Sequence, residues 1–178
     1  MFNLFGRKAA KQKVTDIVWA TEEMKWKGIM EEWRKDPSLV IICWFEETLR
    51  QLQTVFNRET TAEVSIYTTT HLHSALLKDK QVLFAEHYPL KKKEQQFFEQ
   101  LSLSHIVVFS ALNEPLFLRF GGEKILQLMK QLGMQEEESI NNELISKAIS
   151  RAQEKIETKI STELLCSSSK EWLERNLG

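Results

Sequence analysis

Proline and glycine are scarce in this chain, with three and six copies in 178 residues. That scarcity excludes a fold dominated by long irregular loops and points to regular structure along most of the length. Cysteine is scarcer still. Cys43 sits in an apolar run and Cys166 in a Ser-rich tail, so no disulfide framework can organise the fold. Reduced thiols are the expectation, with a single Cys43–Cys166 bridge as the alternative. Charge of one sign is also missing: 24 Lys and Arg stand against 25 Asp and Glu, for a net charge of −1. With no basic stripe, nucleic-acid binding has no electrostatic footprint. No run approaches the roughly 20 apolar residues of a membrane span, and the N-terminus lacks the apolar centre of a secretory signal. The chain reads as cytoplasmic.

What is present suffices for a soluble core: 42% of residues are hydrophobic and 28% charged. Residues 1–13 form a basic arm, expected to be flexible. Phe2, Leu4 and Phe5 beside Arg7, Lys8, Lys11 and Lys13 give it at most a weak peripheral membrane contact. From residue 14 the pattern alternates. Val14–Ala20 reads as a strand. Thr21 can cap a helix whose apolar face is Trp26, Ile29, Met30 and Trp33, and Pro37 stops it. Leu39–Phe45 is apolar without alternation, as a strand buried on both faces must be. A helix follows over Glu46–Phe56, then a strand at Glu63–Thr69, a short helix or turn at His71–Lys80, and a strand at Val82–His87. Leu90–Leu101 reads as a helix and His105–Ser110 as the fifth strand. Beyond Glu114 only helical periods remain, to Leu132 and then from about Ile140 to the end, where Leu144, Ile145, Ala148, Ile149, Ala152, Ile156, Ile160 and Leu164 make one stripe. Alternation of this kind predicts a three-layer α/β domain over 14–138, with a five-stranded, mostly parallel sheet. Residues 139–178 form a helical C-terminal extension, which either folds back or pairs with a second copy of the chain, since a helix that long needs tertiary contacts.

One segment is more specific than periodicity. Phe109–Glu157 carries Phe109-Ser110-Ala111-Leu112-Asn113-Glu114, then Leu118-Arg119-Phe120-Gly121, Gln131-Leu132-Gly133-Met134 and Ser146-Lys147-Ala148-Ile149. It resembles the passage from the second nucleotide-binding domain of the SecA preprotein-translocase motor into its scaffold helix. Thr21-Glu22-Glu23-Met24-Lys25-Trp26 looks like the opening of that same domain. The resemblance implies a RecA-like half-domain, and it implies translocase components as partners. It does not bring the motor's chemistry along. No G-x-x-x-x-G-K-[ST] phosphate loop occurs. After the strand ending at Glu86, a glycine-rich loop and an arginine-finger motif are replaced by His87-Tyr88-Pro89-Leu90-Lys91-Lys92-Lys93, with no Arg between Arg58 and Arg119. The expectation is a non-catalytic, degenerate motor half-domain that holds no cofactor and acts by binding another protein.

The candidate binding residues cluster where strands end, because open α/β sheets keep their sites at the carboxyl ends of strands. They are His71, His73, Glu86, His87, Tyr88, Lys91 and Lys92, with Trp172 on a terminal turn beyond Ser167–Ser169 as an aromatic anchor for a partner. The histidines have no metal-ligand spacing, so no metal is assigned. Lys91–Lys93 at the start of a helix would suit an anion, which gives an alternative reading as a nucleotide- or anion-binding regulator.

Overall fold

The computed structural model describes residues 13–103, 105–131, 135 and 137–178. The basic arm therefore lies outside the described residues except for Lys13, which already belongs to the first strand. Five strands form one sheet: β1 (Lys13–Trp19), β2 (Val40–Cys43), β3 (Ile66–Thr68), β4 (Val82–Phe84) and β5 (His105–Ala111). Their order across the sheet is β1-β5-β4-β2-β3, and every pairing is parallel. The expected three-layer α/β architecture is the one observed, since parallel neighbours require crossover helices.

Helix α1 (Glu22–Lys35) starts as its sequence demands. The Met24 N–H donates to Thr21 Oγ1 at 3.3 Å, Glu22 and Glu23 occupy the first turn, and the helix stops two residues before Pro37. Ile29, Met30 and Trp33 of α1 join Leu52 and Phe56 of α2 (Glu46–Glu59) over Ile41, Cys43, Leu83 and Phe109. Leu52 is fully buried, and burial of this kind stabilises by roughly 1.5–3 kcal/mol per large side chain. On the opposite face, Phe98 of α3 (Lys91–Leu101) covers Ile42, Phe84, Ile106 and Val108. Between β3 and β4 the chain makes two short 3-10 turns rather than one helix, at Thr69–His71 and Ser74–Leu77.

After β5 the helical region is more broken than its periodicity suggests. Helix α4 (Pro115–Arg119) and α5 (Gly122–Gln131) are separated at Gly121, whose φ of +92° is left-handed. A Cβ at Gly122 would collide with the Leu112 carbonyl and crowd Phe117, so glycine is required there. Helix α6 (Glu143–Glu157) ends well before the expected point, and α7 (Ser169–Leu177) begins after an eleven-residue excursion. The Thr158 hydroxyl donates to the Lys155 carbonyl at 2.8 Å, competing with continuation of the helix. Both helices fold back. Ile149 and Ile156 of α6 join Trp172 and Leu173 of α7 in a third apolar cluster with Val18, Phe45, Tyr88 and Leu112. Of the α6 stripe, Ile149, Ala152 and Ile156 are buried within the chain, while Leu144 and Ala148 stay exposed. Ile140 adds the sole antiparallel bridge among the described residues, exchanging backbone hydrogen bonds of 2.9 and 2.7 Å with Val18 on the outer side of β1. Among the described residues, no helix is long and apolar enough to cross a membrane.

Candidate functional site

Beyond the carboxyl ends of the strands, ionisable groups are buried in an unusual concentration. Lys25 projects from α1 into the interior, where it donates to the Ala85 carbonyl at 2.9 Å and pairs with Glu114. Both members are buried. Burial pushes the Glu114 carboxyl up, and Lys25 opposes that. Glu86, two residues past the end of β4, replaces a side-chain cap for α2. The Trp44 and Phe45 N–H groups each donate to its Oε1 at 3.0 Å, and the Thr48 hydroxyl donates to its Oε2 at 2.7 Å. Burial dominates its titration and raises it to about 7, against the pull of Lys25 and these donors.

His87 lies between two carboxylates. Its Nδ1 donates to Glu94 Oε1 at 2.9 Å, and its Nε2 stands 3.1 Å from Asp16 Oδ1 on β1. That second contact is a buried ion pair whose N–H···O alignment falls short of a regular hydrogen bond. Burial works against the imidazolium, but the charges of Glu94 and Asp16 win and hold its pKa at about 10. In turn, burial would raise Asp16, yet His87 and the Ser146 hydroxyl outweigh it and keep that carboxyl below its ordinary value. Gln153 of α6 closes the network, its Nε2 donating to Glu94 Oε2 and to the Tyr88 carbonyl at 2.8 Å each.

The first turn of α3 was expected to attract an anion. In the folded chain the anions are its own. Lys91 pairs with Glu154 at 2.5 Å, the Lys92 N–H donates to Glu157 Oε1 at 2.5 Å, and Lys93 pairs with Glu163 at 2.8 Å. Glu163 also accepts from the Tyr88 hydroxyl and from Trp172 Nε1, the latter at 2.8 Å. Burial acts to raise the Glu163 carboxyl, and these donors more than offset it. Free amides at a helix start favour negative charge, and here three glutamates from α6 and the following loop supply it.

The residues singled out from sequence are thus brought only partly together. Glu86, His87 and Tyr88 are consecutive and buried, Lys91 is half-buried, and Lys92 has an exposed side chain. His71 and His73 sit exposed beyond the edge strand β3 and join none of these contacts. His71 instead hydrogen-bonds Thr68 Oγ1 at 2.9 Å. Trp172 is not a free anchor: it is 0% exposed, packed edge-on against Tyr88. Among the described residues, no group of three His, Cys, Asp or Glu is disposed to hold a metal ion. Sequence reading missed Asp16, Lys25, Glu94, Glu114, Gln153 and Glu163. Asp16 left the clearest signal, a lone charge inside an otherwise strand-like run.

Two cavities open on this network. One of about 170 Å³ lies over Glu86 and Glu114, between the starts of α2, α4 and α7. The other, about 590 Å³, is a cleft between α3 and α6 above β1, with Asp16, His87 and Glu94 among the residues lining it.

No protein-family model matches the chain. A 49-residue stretch is 47% identical to a protein translocase subunit SecA from Clostridium beijerinckii and covers 28% of this chain. A stretch of equal length is 45% identical to the SecA of Oleidesulfovibrio alaskensis, and 51 residues are 43% identical to that of Anaplasma marginale. Part of this chain is therefore SecA-related. The match covers about 6% of the length of each of these relatives.

Proposed function

We propose that this chain is a non-catalytic, SecA-related protein of the cytoplasm that acts by binding another protein, in connection with protein translocation. The SecA-related stretch supports the link to translocation. The observation that carries the binding role is the state of the crevice end of the sheet. Where an open α/β sheet usually receives a ligand, this chain has placed Trp172, Gln153 and the carboxylates of Glu157 and Glu163. What is left for a partner is the outer surface, including the exposed His71, His73 and Lys92.

The test is direct binding of the purified chain to a purified SecA by biolayer interferometry, with an ATPase assay on the chain alone. Saturable binding without ATP turnover is expected. Loss of all binding at tens of micromolar, roughly the weak end of specific association, or turnover by the chain itself, would overturn the proposal. A second reading, a regulator that binds a small anion, is favoured by one observation, the cleft between α3 and α6.

A further inference from the structure

Folding back leaves one face of α6 uncovered. Leu144 is 73% exposed and Ala148, one turn further on, is also exposed, while Ile149 and Ala152 turn inward. Helical spacing puts Arg151 and Lys155 on that same outward face, further along the axis. Beside Ala148 the surface dips into a hollow of about 50 Å³, between the α4–α5 corner and α6. Its wall includes Phe117, Phe120, Ile125, Ile145 and Ala148 and no charged or hydroxyl-bearing side chain. The hollow is far smaller than the roughly 300–1,000 Å³ of a small-molecule site, but it suits one aliphatic side chain.

Charge is spread unevenly along this face. Glu137 and Glu138 precede the helix and Glu143 opens it, whereas Arg151 and Lys155 follow Ala148, all five exposed. Glu143 meets Lys147 of its own helix at 3.4 Å with both side chains largely in solvent, a contact weak enough to be exchanged. A helix with an acidic start and a basic end is complementary to the same helix run the other way. The apolar centre is complementary to itself in that arrangement too. Leu144 of one copy then lies opposite Ala148 of the other, next to the hollow, and the small alanine lets the two axes approach.

We infer that α6 pairs antiparallel with α6 of a second copy about a two-fold axis. Leu144 of each copy fills the hollow beside the partner's Ala148, and Glu143 faces the partner's Arg151. Such an interface is isologous, so every contact is made twice. Charge complementarity along the face selects a second copy over an unrelated apolar segment. The pairing is independent of the protein-binding role: either can fail while the other stands.

The test is sedimentation equilibrium of the full chain from about 1 to 500 μM. A monomer–dimer equilibrium is expected, with a dissociation constant of roughly tens of micromolar because the apolar patch is small. Leu144→Glu, at an exposed position, should weaken it by at least about tenfold while leaving the thermal midpoint of the dilute protein in place. Glu143→Arg and Arg151→Glu should each weaken it several-fold. The variant carrying both should recover most of the loss, which a merely structural role for either residue would not produce. A chain that stays monomeric at about 500 μM overturns the inference and leaves this face to a partner of different sequence. A dimer untouched by Leu144→Glu, or a double variant no tighter than the two single ones, overturns it equally.

Discussion

The sheet face under α1 and α2 and the carboxyl end of the sheet are held by different physics. Beneath α1 and α2 the contacts are apolar: Ile29, Trp33, Leu52 and Phe56 close over Ile41, Cys43 and Leu83. At the carboxyl end, under α6 and α7, apolar residues share the interior with Lys25, Glu86, His87, Glu94 and Glu114. Apolar burial is non-directional and indifferent to pH. A buried charge is tolerable only while its partner is present. The first region should therefore degrade gradually under substitution, and the second abruptly.

The sharpest way to break that contrast is Lys25→Ala, which leaves Glu114 buried and unpaired. It should cost about 3–5 kcal/mol by chemical denaturation, and a companion Glu114→Gln should recover part of the loss. A loss below about 1 kcal/mol would mean that the pair is not buried in solution. On the apolar side, Leu52→Ala should cost about 2–5 kcal/mol, with the same value at low and high salt. A strong salt dependence there would erase the distinction.

Titration sharpens the comparison further. His87 is raised from 6.5 to about 10, so its contribution is complete below pH 6.5 and is lost as pH climbs through 10. Glu86 is raised from 4.5 to about 7, so the folded state binds its proton more tightly, and stability falls as pH rises from 4.5 through 7. Asp16 is lowered, so its contribution is present above its ordinary 3.8 and lost on further acidification. Maximum stability is expected in mildly acidic solution, with a decline through neutral into alkaline pH. A flat profile between pH 5 and 9, read by thermal melts, would contradict the buried network. The smallest effect belongs to Glu163→Gln, which keeps acceptors for Trp172 and Tyr88 but loses the charge facing Lys93. It should cost about 1 kcal/mol and raise hydrogen exchange in α7 while leaving α1 protected.

The same contrast explains what could be read in advance. β2 was legible because Leu39–Phe45 has no alternation, and α1 because Thr21 and Pro37 mark its ends. Periodicity reports which side of an element is apolar, so it found Ile149 and Ile156 but not what they cover. Charge pairing across long separations leaves no periodic trace. Lys25 with Glu114, or Lys93 with Glu163, looks like ordinary surface charge until the fold brings them together. Trp172 was misplaced for a related reason: nothing in the sequence near Ser167–Ser169 announces that the chain turns back there to bury an indole against Tyr88.

The position of β1 has a consequence in time rather than space. It is made before the other four strands, yet its sole strand neighbour among the described residues is β5, and Thr15 meets His105 ninety residues later. Val18 waits longer still, for Ile140. The nascent chain must therefore carry β1 unpaired while β2, β3 and β4 are made, and the sheet closes only when β5 arrives. Loop closure over such separations is slow, and an unpaired edge is open to misassociation. The most vulnerable interval lies between the synthesis of β1 and that of β5.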